Sequence, residues 1–127
     1  MAKVVLTHTV SNGGGSTPSN DFMRRVTTPL PVATPTTADE VPTSTCSFVK
    51  WNYTIADDDE DKFHTAEIVA THRNGTNPTH SRYGLIGDTI PHSVNVVSES
   101  GLLKLQFTNL DAHDVVVNVL RTLLTTP

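Results

Sequence analysis

From Phe48 to Ile55 the chain reads FVKWNYTI, with Val49, Trp51, Tyr53 and Ile55 alternating with Phe48, Lys50, Asn52 and Thr54. Successive side chains of a β-strand point to opposite faces, so this period of two specifies a strand with one buried face. The pattern recurs downstream. FHTAEIVATH places Ala66, Ile68 and Ala70 inward, and THSRYGLIGD puts Ser81, Tyr83 and Leu85 on one face. Glycines at 84 and 87 in that run suggest a bulge or a close backbone approach. HSVNVVS, LLKLQFTN and DVVVNVLRTLL supply three more strands, with Leu103, Leu105 and Phe107, then Val115, Val117 and Val119, facing inward. The expected core is Val49, Trp51, Tyr53, Ile55, Tyr83, Leu103, Leu105, Phe107 and Val117. The connections are ADDDEDK, RNGT, ESG and NLDAHD, and Asn74-Gly75 is a strong short hairpin signal.

Six strands joined by short turns, with no helical gap, predict an all-β fold over 47–127: an antiparallel, jelly-roll-like β-sandwich. KVVLTHTV, residues 3–10, reads as a further strand that could make a seventh, in this sheet or a neighbour's. Composition agrees, since Val, Thr and Ile make 39 of 127 residues and Ala only seven.

Upstream of residue 47 the pattern changes. SNGGGSTPS reads as a flexible linker, and SNDFMRRV (19–26) as one helical turn with Phe22, Met23 and Val26 near one face. VTTPLPVATPTTADEVPTST follows, with prolines at 29, 31, 35 and 42 that remove backbone donors and favour extended neighbours. The segment 1–46 is therefore read as an N-terminal strand, a glycine linker and an extended arm, separate from the sandwich. At ~3.1 Å per residue, the part from Ser11 to Cys46 would reach roughly 110 Å. Such an arm suits docking on another protein, with Phe22, Met23, Val26, Pro29, Pro31 and Pro35 as its partner-binding residues.

Several function classes lose ground on composition. The nine Lys and Arg are dispersed apart from Arg24-Arg25, and the net charge is −4, which argues against nucleic-acid binding. No stretch has the apolar length of a membrane helix, and MAKVVLTHTV does not read as a signal peptide. A single cysteine, Cys46, leaves no intrachain disulfide framework. The chain reads as a soluble protein made in a cytoplasm.

FVKWNYTI, AEIVATH, YGLIGD, VNV, LKLQF and VVNVLRT, in this order from Ser47 to Thr122, resemble a β-sandwich module of virion structural proteins in tailed bacteriophages, cyanophages especially. The resemblance covers about three-fifths of the chain, with its most suggestive positions in YGLIGD and in Arg121-Thr122. It implies scaffolding and adhesion, as capsid decoration or cement, or as a neck, tail or fibre component, and it carries no catalytic residues.

Sites for chemistry are sparse. Asp57, Asp59 and Asp61 start like a calcium loop, but Lys62 stands where the EF-hand needs glycine and Ile68 where it needs glutamate. DDDED then reads as a solvated hairpin tip. His64, His72 and His80 recur every eight residues, yet zinc needs three or four converging ligands and His64 falls at the far end of its strand. Ser, His and Asp show no nucleophile-elbow signature. The expectation is a non-enzymatic protein with no cofactor and no metal. Its partners would be other virion proteins: the major capsid protein first, tail or neck proteins second. A small β core also predicts a homo-oligomer, and the resemblance to fibre and decoration proteins implies a trimer. The rival reading is a glycan-binding receptor-recognition module that would use Trp51 and Tyr53.

Overall fold

A computed structural model of the chain describes residues 18–125, and these form eight strands with no helix among them. They are β1 (Met23–Leu30), β2 (Pro35–Pro42), β3 (Cys46–Asp57), β4 (Lys62–Arg73), β5 (Thr76–Gly87), β6 (His92–Glu99), β7 (Leu102–Asn109) and β8 (Val115–Thr125). A five-stranded sheet, ordered β1-β8-β3-β4-β5, packs on a three-stranded sheet, ordered β2-β7-β6, and all strand pairs are antiparallel. The fold is a β-sandwich whose core lies between the two sheets. Val49, Trp51, Tyr53, Ile55, Leu103, Leu105, Phe107 and Val117 are all buried there, with Ala66, Ile68, Ala70, Val115 and Val119. Turns follow the sequence signals: Asn74 and Gly75 both take positive φ (51° and 79°), the twist that joins adjacent strands tightly. Ser100 and Gly101 do the same (53° and 75°) between β6 and β7.

The N-terminal reading needs correction. Residues 23–42 are two strands of the sandwich itself, so the described chain has eight strands instead of six or seven, and no boundary at residue 47 separates an arm from a domain. β1 pairs with β8 from Met23↔Thr122 to Leu30↔Val115, and β2 pairs with β7 from Pro35↔Thr108 to Pro42↔Leu102. The expected helical turn is also replaced, since Met23 to Val26 already belong to β1. The physical reason lies in the prolines. β1 and β2 are edge strands of different sheets, and an edge strand needs only one row of its backbone groups paired. Pro29, Pro35 and Pro42 sit in those edges, and Pro31 in the connection between them. A segment unable to form a central strand still forms two edge strands. The expectations for 3–10 and for the glycines at 13–15 lie outside the described residues.

A buried ionic cluster fastens these edges to the core. Asp39 and Arg121 are both fully buried. Arg121 Nη1 donates to Asp39 Oδ1 and Oδ2 at 3.1 and 3.0 Å, and to the Glu40 carbonyl at 3.3 Å. Its Nη2 donates to the Asp21 carbonyl (2.7 Å) and Ser19 Oγ (3.2 Å). Asp39 also accepts from Trp51 Nε1 (2.9 Å) and Arg24 Nη1 (3.1 Å). One carboxylate of β2 thus joins side chains from β1, β3 and β8. A β-bulge between Thr37 and Asp39 puts both Ala38 and Asp39 inside.

Candidate interaction surface

The five-stranded sheet is wider than the sheet beneath it, so its two edges meet different surroundings. β1 lies at one edge, with Val26, Thr28 and Leu30 buried. β5 lies at the other, and eleven of its twelve residues are exposed on both faces, Pro78 alone being half-buried. It reaches across to β6 through Arg82, whose Nη1 meets Tyr53 Oη at 3.3 Å and His92 Nε2 at 3.1 Å. A bulge opposite Thr65 and Glu67 interrupts its pairing with β4. Beside it stands Phe63 of β4, and together Phe63, Tyr83, Leu85 and Ile86 expose 61, 43, 51 and 67% of their surface. These are four of the eight large exposed apolar residues among those described, gathered on one flank. Tyr83, expected in the core, is therefore corrected to the surface: the register sets it opposite Glu67 on the outer face, where its hydroxyl bonds the Glu67 carboxylate. That bond is the main cause lifting the Tyr83 phenol above its usual range and lowering the Glu67 carboxyl.

Next to this flank the outer face of the large sheet is polar. The register aligns Arg25, Leu120, Asn52, Glu67 and Tyr83 in one row, and Thr27, Asn118, Thr54, Thr65 and Ile86 in the next. Cross-strand bonds knit the rows, including Asn52 Nδ2 to Glu67 Oε2 (2.8 Å) and Thr54 Oγ1 to Thr65 Oγ1 (3.2 Å). The face is knit by these bonds, and the apolar residues at β5 are its outer border.

The anchors assigned to the arm are divided. Val26 is core, whereas Phe22, Met23 and Pro29 are exposed along the β1 edge, Pro31 in the connection and Pro35 at the start of β2. Trp51 and Tyr53 are inside the sandwich, so a sugar-stacking platform built on them is not available. The histidines are also divided. His72 donates through Nε2 to the Cys46 carbonyl (2.6 Å) and accepts the Gly75 N–H at Nδ1 (2.9 Å), which pins the β4–β5 turn. His80 is exposed on β5. His64 is buried and meets the His92 ring edge-on, with centroids 5.2 Å apart. His92 Nδ1 donates to the Ile90 carbonyl (2.6 Å), leaving Nε2 to accept from Tyr53 Oη (2.8 Å). Burial is the main cause holding the His92 imidazole below its ordinary value.

The acidic hairpin tip is part solvated and part clasp. Asp57 is fully buried, and its Oδ1 accepts the N–H groups of Asp59 (3.1 Å) and Glu60 (3.3 Å). Its Oδ2 faces His113 Nδ1 at 3.1 Å, in the turn between β7 and β8. Asp57, Asp59 and His113 present donor atoms within 4.8 Å of one another, but those of Asp57 and His113 are engaged with each other and with the turn. The arrangement ties two turns together. Desolvation is the largest influence on both groups, yet the Glu60 N–H and the His113 charge bring Asp57 below its usual value. Asp57, Asp111 and Glu60 together raise His113.

No family model matches the chain, and no curated protein matches it. Among solved structures, the crystal structure of the Acinetobacter phage vB_ApiP_P1 tailspike protein is similar over 89% of this chain and 23% of its own, with a TM-score of 0.48 and 14% identity. The chain thus spans less than a quarter of that tailspike's length, and a likeness of this degree carries no inference about what the chain does.

Proposed function

We propose that the chain is a non-enzymatic structural protein of a tailed-phage virion that acts by assembling with other proteins through the exposed flank of β4 and β5. The observation that supports this most is the flank itself: a twelve-residue strand exposed on both faces, bearing Tyr83, Leu85 and Ile86 beside Phe63. Large contiguous apolar patches rimmed by polar residues mark interaction sites in folded proteins. The resemblance of Ser47 to Thr122 to phage virion sandwiches supplies the setting. Within it, capsid decoration remains the first reading, and a neck, tail or fibre position the second. The contact shifts from the N-terminal segment to the flank, because Met23 to Pro42 are committed to the fold's own sheets.

The test is a binding assay of the full chain, wild type and Leu85→Lys, against empty capsids and against isolated tails of the phage that carries it. Binding to capsids, lost in Leu85→Lys, is the expected result. Binding to tails alone moves the protein to the second position, and binding to neither overturns the virion reading.

A further inference from the structure

Arg82 reaches from β5 across the open side of the sandwich, and the two groups it meets there, Tyr53 and His92, are neutral. We propose that Arg82 and His92 form an acid-released clasp: when His92 takes up a proton, Arg82 swings into water and the middle of β5 parts from β6, while the rest of the sandwich stays folded. In naming acid as a regulator of the flank, the proposal rests on the assembly role just argued.

The His92 ring acts here as an acceptor. Its Nδ1–H is spent on the Ile90 carbonyl (2.6 Å), so the lone pair is on Nε2, where Tyr53 Oη (2.8 Å) and Arg82 Nη1 (3.1 Å) converge. Arg82 Nη1 also donates to Tyr53 Oη at 3.3 Å. A proton on Nε2 turns the shared acceptor into a third donor and sets an imidazolium 3.1 Å from a guanidinium.

Nothing around the ring compensates that charge. From β4, His64 donates Nδ1–H to the Asp88 carbonyl (3.0 Å), and its Nε2 is buried without a partner. From β7, Phe107 is apolar, and the Asn109 amide is spent on the carbonyls of Leu30 and His113. The Asp88 carboxylate, in the connection from β5 to β6, accepts the Phe63 N–H (3.0 Å). From β3, Tyr53 supplies no phenolate, since burial raises its hydroxyl above the usual range. Among the described residues, no carboxylate bonds either His92 or Arg82. Burial first, and the Arg82 charge with it, hold the imidazole below its ordinary value. The clasp is therefore complete above about 6.5 and is lost as pH falls through the lower folded value.

β5 has little to resist the parting. Eleven of its twelve residues are exposed, Arg82 among them, so the guanidinium reaches water without unfolding anything. Strands with so little burial belong to the low-stability end of a fold. The parting is local, because Ser98 Oγ still ties β6 to the Gly75 carbonyl of the β4–β5 turn, and the backbone pairing of β5 with β4 is untouched.

Hydrogen exchange of the full chain between about pH 7 and about pH 4, corrected for the intrinsic pH dependence of exchange, tests this. Protection should fall first across β5 and the start of β6, at a pH where β3 and β8 keep theirs. His92→Gln, which retains an acceptor but takes no proton, should remove that step. A second measurement does not depend on that variant folding. In Arg82→Gln, at an exposed position, the His92 imidazole followed by NMR should titrate closer to its ordinary value of ~6.5 than in the wild type. Loss of protection in β5 and β8 together, a step that survives in His92→Gln, or an unmoved His92 titration in Arg82→Gln overturns the proposal. These measurements use the chain alone, so failure here is distinguishable from failure of the virion reading. A chain without the acid step that still binds capsids through Leu85 keeps that reading and loses the clasp. A chain with the step that binds neither capsids nor tails keeps the clasp and loses the virion role.

Discussion

β1 and β5 are the two edges of one sheet, and they are built in opposite ways. β1 sends Val26, Thr28 and Leu30 into the core, and its neighbour Asp39 is held by two arginines and an indole. Its Pro29, Arg24 and Arg25 then discourage anything from adding to it. β5 buries almost nothing, is joined to the other sheet through Arg82, and shows apolar side chains along its edge. The contrast separates two jobs that a proline-rich segment and an ordinary-looking strand would suggest in reverse. The proline-rich part closes the fold, and the regular strand is the part left open.

The largest expected effect breaks the closed edge. Deleting residues 1–46 removes β1 and β2, leaves the edges of β8 and β7 unpaired, and takes Val26, Leu30, Ala38 and Val41 out of the core. The truncated chain should lack a cooperative melting transition. A finer version is Asp39→Ala, which leaves Arg121 buried without its counter-charge. Breaking a buried pair in this way costs ~3–5 kcal/mol, read from urea unfolding. A truncated chain that melts like the full one would remove the distinction between the two edges.

Next is Gly87→Ala, at the end of β5. Gly87 has φ +103°, and a Cβ there would stand 2.5 Å from the Phe63 carbonyl oxygen. The backbone conformation alone costs ~1–3 kcal/mol for a residue other than glycine, and the clash adds to it. The loss should appear as a lower urea midpoint together with faster hydrogen exchange in β5 than in β1. Equal loosening of both edges would mean that β5 is as firmly held as β1.

Much of this architecture was legible because alternation is a direct consequence of strand geometry. Residues 49, 51, 53 and 55, and 103, 105 and 107, face inward as their spacing requires. Two parts were not. The edge strands were hidden because Pro and Thr dilute the apolar pattern, and an edge tolerates that where a centre does not. Tyr83 was misplaced because alternation does not say which face of a strand is inward: Ser81 and Tyr83 stand opposite Val69 and Glu67 on the outer face, and the bulge at Gly84 separates Leu85 from them. The ionic cluster did leave a signal. Val115, Val117, Val119, Arg121 and Leu123 run with a period of two, so Arg121 falls on the buried face and demands a buried acid. Asp39, beside Val41 in a segment poor in charge, is the answering residue.

Titration distinguishes the sides more gently. His113 is raised by its carboxylates, so its contribution is complete below the ordinary histidine value and is lost as pH rises through the higher folded one. His92 is lowered, chiefly by burial, so its contribution is complete above the ordinary value near 6.5 and is lost as pH falls through the lower folded one. Melting temperature should decline in both directions from near neutrality. His113→Gln should flatten the alkaline limb, and His92→Gln the acid limb, where protonation sets an N–H against Arg82 and Tyr53. If either variant keeps both limbs, that histidine is not the group responsible.

The smallest effect is expected where the open edge is altered. Leu85 and Ile86 have about half or more of their surface in water already, so replacing them with lysine removes little burial from a single chain. Exposed substitutions of this kind change stability by within about 0.5 kcal/mol. Val26→Lys, on the closed edge, places an ammonium in the interior and should unfold the protein. The comparison must be made at low micromolar concentration, because any pairing through β5 adds stability that grows with concentration. Under that condition, equal urea midpoints for wild type and Leu85→Lys with Ile86→Lys mean that β5 contributes to contact with other chains and not to the fold of its own. A loss above ~1 kcal/mol would place β5 among the strands that hold the sandwich together, and the two edges would then differ in sequence but not in role.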